Sequence, residues 1–157
     1  MAASEIRIKD SAEAAFTITL ASLAHSAAGV GRQSTMLTNT NKAPAALVSI
    51  KLTSHASVAP TAGSIAAVYL LRDTGTIADD GAGASDAGLT IENAPLLGTI
   101  VFTATTAKAF YGIFDTSPLG PLGPTWGIAI VNSSVQALNA TEGNHACYYN
   151  YYVPEAQ

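Results

Sequence analysis

Three histidines, His25, His55 and His145, are the side chains best suited to proton transfer or metal binding near neutral pH. They lie far apart, and none has a second histidine two or four residues away beside a carboxylate, the spacing that brings two imidazoles to one metal ion. A zinc or cupin-like site therefore has no signature here, and structural or surface roles are expected for all three. A serine nucleophile fares no better. No Gly-x-Ser-x-Gly elbow occurs, and Gly63-Ser64 opens a strand-like run without that context. Gly29-Val30-Gly31 lacks the further glycine and the following helix that a nucleotide-cradling loop needs. No residue set reads as a catalytic centre, so no enzymatic activity, cofactor or metal is expected.

Two other groups have types that could bind. Asp73, Asp79, Asp80 and Asp86 supply the hard oxygen atoms that Ca²⁺ takes, but DDGAGASDAG does not set ligands at alternate positions as a Ca²⁺ loop does. A mobile, solvated acidic loop over residues 73–95, with five acids and no base, is the expected form, and deleting Thr76 to Ala87 is expected to leave melting nearly unchanged. Trp126 with Tyr148, Tyr149, Tyr151 and Tyr152 suggests either a sugar-stacking platform or packing. Alternation puts Cys147, Tyr149, Tyr151 and Val153 on one face of a strand and Tyr148, Asn150 and Tyr152 on the other, so one tyrosine row faces the core and one faces outward. An outward row suits a protein interface. The single Cys147 cannot form an internal disulfide and is expected to be a buried thiol.

These residues must be positioned by strands, because apolar and polar residues alternate along almost the whole chain. Phe16, Ile18 and Leu20 share one face of 15–20, and Val48, Ile50 and Leu52 share one face of 47–53. IAAVYLL from Ile65 to Leu71 is apolar on both faces, as a central strand would be. Further strands are expected at 5–9, 35–38, 99–104, 108–115, 126–132 and 145–153, giving about nine. No long 3.6-period stripe with caps occurs. Short strands with uneven loops in one domain of 157 residues imply two antiparallel sheets face to face, a jelly-roll-like all-β sandwich, with a closed barrel as the alternative. An N-terminal arm is expected over residues 1–14.

Charge narrows the partners. Charged residues make up 11% of the chain, against about 25% in an ordinary soluble domain. A surface rich in Ser, Thr, Asn and Ala suits either packing against neighbours or a secreted domain with a neutral exterior. Residues 1–72 carry six bases against three acids (+3), and 73–157 carry one base against eight acids (−7). The bases are scattered, with no basic run among aromatics, so direct binding to nucleic acid is not expected. MAASEIRIKD lacks a signal-peptide pattern, and no apolar run reaches the length of about 20 that spans a bilayer. Synthesis in a cytoplasm is therefore expected. Asn132 and Asn139 stand in glycosylation sequons but read as turn residues.

GRQSTMLTNTNKAPAALVSIKLTS, followed by TAGSIAAVYLLRD, IENAPLLGT, FDTS, GPTWGIAIVN and GN before a final aromatic strand, resembles small virion structural proteins of tailed bacteriophages over residues 20–153. The resemblance implies a capsid decoration or cement protein on the outer shell, bridging capsomers of the major capsid protein lattice, commonly as a homotrimer, after synthesis in the host cytoplasm. A tail- or fibre-associated carbohydrate-binding module is the alternative. Ile6, Arg7, Ile8 and Lys9 are the expected interface arm, equally readable as an internal edge strand, and Tyr148 and Tyr152 are the expected outward anchors.

Overall fold

The computed structural model describes residues 6–81 and 85–156. In chain order its strands are β1 (Ile6–Asp10), β2 (Ala14–Ala15), β3 (Val30–Gln33), β4 (Leu37–Thr38), β5 (Ala45–Thr53) and β6 (Ile65–Asp73). Then come β7 (Gly88–Thr90), β8 (Leu96–Val101), β9 (Ala109–Asp115), β10 (Thr125–Asn132) and β11 (Ala146–Ala156). Helical structure among the described residues is confined to single 3₁₀ turns at Ser117–Leu119 and Glu142–Asn144.

Antiparallel pairing gathers the strands into two sheets. The first runs β1-β11-β5-β9, with β2 continuing the line of β1 beside β11; the second runs β7-β3-β10-β6-β8, with β4 continuing the line of β3 beside β10. Taking β1/β2 and β3/β4 as one line each leaves eight main strands and the short β7. In sequence rank, the first sheet reads first, eighth, third, sixth and the second reads second, seventh, fourth, fifth. This is the jelly-roll order of two interlocked Greek keys, so the expected sandwich is found.

Alternation located most strands, and its failures have identifiable causes. Phe16 and Leu20 are buried and Thr17 and Thr19 exposed, as a strand over 15–20 requires, yet ladder pairing stops at Ala15. The chain leaves the sheet there, and the backbone N–H groups of Leu20 and Ala21 donate to Glu142 Oε2 at 2.8 and 2.6 Å. The β3 strand over Val30–Gln33 is not among the strands that alternation predicts. A Cβ at Gly31 would stand 2.7 Å from the Ile130 carbonyl oxygen, so glycine here permits close approach to β10. The strand expected at 99–104 sits three residues earlier, and β7 carried no periodic signal in its three residues.

Between the sheets lie Val48, Ile50 and Leu52 of β5, Val68 and Leu70 of β6, and Ile128 and Ile130 of β10, all at most 2% exposed. Each contributes about 1.5–3 kcal/mol by leaving water. Phe102 and Phe110 meet edge-on at 4.9 Å. At the corner where β8 meets β9, the Phe114 ring fills the gap between Gly98 and Gly112. A Cβ at Gly112 would lie 2.5 Å from that ring and 2.8 Å from Ile100.

A second, smaller apolar cluster lies on the outer face of the second sheet. Leu71 and Ala129 are fully buried there beneath Ala94, with Met36, Leu89 and Ile91 around them. Residues 89–94 therefore lie across that face, which explains why IAAVYLL is apolar on both sides. Leu89, Ile91 and Ala94 thus pack on the sheet, whereas Thr74, Gly75, Thr76 and Ile77 are exposed.

Gly112→Ala is expected to destabilise the protein by about 1–3 kcal/mol through overpacking against Phe114. Urea unfolding would show a lower midpoint at an unchanged slope; an unchanged midpoint would mean that the β8–β9 corner yields freely.

Candidate functional site

The alternation along β11 holds: Cys147 and Tyr151 are buried, Tyr149 and Val153 pack on the core, and Tyr148, Asn150 and Tyr152 face outward. Trp126 on β10 is fully buried, with T-shaped contacts to Phe16 at 5.3 Å, Tyr149 at 5.4 Å and Tyr151 at 5.8 Å. Its Nε1–H donates to Tyr151 Oη at 2.9 Å. Burial pushes the Tyr151 hydroxyl pKa up, since an ionised phenolate would be poorly solvated there. The sugar-stacking platform on Trp126 is thereby corrected: its ring is consumed between the sheets.

The histidines remain apart and take backbone hydrogen bonds. His25 Nδ1 accepts from the Val135 N–H at 3.3 Å, and His55 Nδ1 accepts from those of Ser57 and Val58 at 3.3 and 3.1 Å. Buried His145 accepts from the Thr53 N–H on Nδ1, which puts its proton on Nε2, 3.0 Å from the Asn139 carbonyl. Both sequon asparagines are buried. Asn132 Nδ2 donates to the carbonyls of Leu23 and Gln136 at 2.9 and 2.8 Å, so it serves as a loop tie. Burial, reinforced by the Glu142 charge, pushes the Cys147 thiol up to about 12, far from its nucleophilic form at neutral pH.

Two acids of 73–95 pair with bases on neighbouring strands. Arg32 on β3 meets Asp86 at 2.7 Å, and Arg72 on β6 meets Asp79 at 3.0 Å. Arg72 also donates to the Leu119 carbonyl at 3.0 Å. Asp80 Oδ2 accepts three consecutive backbone N–H groups, Glu92, Asn93 and Ala94, at 3.1, 2.8 and 2.6 Å. Burial works to raise the Asp80 carboxyl, but the three donors together outweigh it and hold the pKa below its usual value. No group of three or more His, Cys, Asp or Glu positioned to hold a metal occurs among the described residues.

The expected interface residues divide. Ile6, Arg7, Ile8 and Lys9 lie on β1, paired with Ala156, Glu155, Pro154 and Val153 of β11. They form an internal edge strand; the side chains of Ile6, Arg7 and Ile8 lie outside the described part. Because β5 begins at Ala45, opposite Tyr152, residues 153–156 pair with β1 alone. The two chain ends thus form a two-stranded ribbon beyond the body of the sheet. Tyr152 sits half-buried at the ribbon's base, where burial, then Asp115 and Asp10, raise its hydroxyl pKa.

Tyr148 belongs to a different feature. The outer face of the first sheet has no covering segment among the described residues, and it holds a groove of about 400 Å³ lined by Glu13, Ser49, Lys51, Tyr111, Ile113 and Tyr148. Tyr111 is 71% exposed, Ile113 69% and Tyr148 38%. Register sets them in adjacent rows, Tyr148–Ser49–Ile113 and Ala146–Lys51–Tyr111. Tyr111 and Ile113 were missed in the sequence because β9 is apolar on both faces, with Phe110 and Phe114 on the other side.

No protein-family model, curated protein or solved structure matches the chain. No helix among the described residues is long and apolar enough to cross a membrane.

Asp80→Asn keeps one acceptor oxygen and the tolerance for the left-handed backbone at φ 51°, but removes the charge. It is expected to cost about 1 kcal/mol at neutral pH. Since the folded carboxyl titrates below its unfolded value, this stabilisation is present above pH of about 4 and fades as pH falls through the folded pKa. Melting curves of both proteins from neutral to acid pH should therefore converge on acidification. Deleting Thr76 to Ala87 removes this tether and both ion pairs, and a clear fall in melting temperature is expected; an unchanged value would restore the dispensable loop. For Cys147, a thiol reagent should label the unfolded chain and leave the native one untouched.

Proposed function

We propose that the chain is a non-enzymatic virion structural protein, a capsid decoration or cement protein that stabilises a phage shell by bridging capsomers, most simply as a homotrimer. The observation that carries the reading is the terminal ribbon. A two-stranded ribbon is marginal by itself in water, and this one has β1 as a sheet edge with no further strand beside it among the described residues. A neighbouring sheet in the major capsid protein lattice, or in another copy, would complete it by strand addition. The resemblance of the sequence to phage virion proteins and the scarcity of surface charge support the same role. Jelly rolls serve capsids and lectins alike, so the fold alone does not carry it.

Removing residues 1–9 should lower self-association and occupancy on purified particles while the sandwich stays folded by circular dichroism. Tyr152→Ala, at the ribbon's base, should do so more mildly. Unchanged occupancy of the truncated protein would leave β1 as an edge strand only and sink this account of the contact.

A further inference from the structure

We infer that the groove on the outer face of the first sheet binds a short neutral saccharide, a site separate from the ribbon through which the chain is proposed to assemble. At this level β5 is paired with both β11 and β9, and Tyr148 of β11 faces both Ala15 and Ser49, so the floor over β5 offers few main-chain groups and recognition there comes from side chains. The outer edge of β9 has no paired strand among the described residues.

The exposed apolar area of the groove is small. Tyr111, Ile113 and Tyr148 expose 71%, 69% and 38% of their surfaces, together on the order of 300–400 Å². A stable protein partner needs about 800 Å² from each side. The groove's volume of about 400 Å³ instead falls in the range of small-ligand sites.

Charge and shape then choose the ligand. Lys51 is balanced by Glu13, so the lining has no net charge to draw an anion or a cation. Two tyrosine rings, with Ile113 in the row of Tyr148, offer flat apolar surfaces to the C–H faces of sugar rings. Ser49, Lys51 and Glu13 supply donors and acceptors for hydroxyl groups. Tyr148 and Tyr111 stand two strand spacings apart across the sheet and one pair apart along it, a backbone separation of about 12 Å. That span suits a short saccharide lying diagonally across β5. The floor is strand rather than loop, so the site is preformed and loses little on binding.

The test is an array of neutral and anionic oligosaccharides, followed by NMR titration of the intact protein with the best-binding neutral disaccharide. Amide shifts are expected at 49–51, 111–113 and 146–148. Tyr111→Ala and Tyr148→Ala should each weaken binding roughly tenfold, as loss of a stacking ring does, with the circular dichroism spectrum unchanged. The inference is overturned by no neutral sugar bound, by binding that survives the double variant, or by binding of anionic glycans alone. If Tyr111→Ala instead lowers the sedimentation coefficient, the face is a contact between copies and the saccharide site is wrong. The ribbon truncation leaves these residues in place, so failure of either proposal can be told from failure of the other.

Discussion

The hydrogen bond from Trp126 Nε1–H on β10 to Tyr151 Oη on β11 joins the two sheets through a pair of buried side chains. An indole N–H left without a partner in that environment would cost on the order of 1–3 kcal/mol, so the bond restricts how β10 can lie over β11. Phe16 and Tyr149 pack against the same indole at 5.3 and 5.4 Å. Phe16 follows directly on β2, and its N–H donates to the Cys147 carbonyl at 2.9 Å. The line of β1 and β2 is thus secured to β11 on one side of this cluster. The outward row of β11, with Tyr148 and Tyr152, follows from the inward placement of Tyr149 and Tyr151, because successive strand residues point to opposite faces.

A second asymmetry decides which surface is free to bind. The outer face of the second sheet carries Leu71 and Ala129, covered by Leu89, Ile91 and Ala94 of the chain's own acidic segment. That segment is held by one carboxylate gripping three successive amides and by two Arg–Asp pairs whose side chains are about a quarter to a third exposed. Pairs this open to solvent contribute on the order of 0–1 kcal/mol each, so apolar cover and the Asp80 tether do most of the holding. On the first sheet, Ser49 and Lys51 occupy the corresponding outward positions of the central β5 strand, and no segment among the described residues crosses them. One face is covered by the chain itself, and the other carries no covering segment among the described residues.

Strands with one buried face were legible in the sequence because burial imposes a period of two; Val48, Ile50 and Leu52 needed no further information. What was not legible depended on contacts distant in the chain. Nothing local marks Gly31 as a strand residue; its role comes from the Ile130 carbonyl, and that residue is 99 positions away. The 73–95 segment looked like repelling acids because its bases, Arg32 and Arg72, lie outside it on β3 and β6. Trp126 looked available for stacking because exposure cannot be read from type, whereas the Cys147 and Tyr151 row was correctly assigned inward from alternation. The groove escaped notice for a related reason. On β9 both faces are apolar, and only the register of β5 against β9 puts Tyr111 and Ile113 outside and Phe110 inside.

The ribbon and the groove share a strand, and their spacing bears on how they could work together. Tyr148 and Val153 are five residues apart on β11, about 17 Å at the rise of a strand. Lys9 and Asp10, both exposed, and Pro154 stand in the ribbon, the kinds of residue that discourage indiscriminate pairing of an open edge. A partner strand would therefore have to match a charged and proline-bearing edge, which favours one partner over general aggregation. If the protein is held through that end, the groove lies clear of the contact on the same sheet. Anchoring then depends on backbone pairing at the chain ends and ligand capture on side chains over β5, so neither requires the other to move.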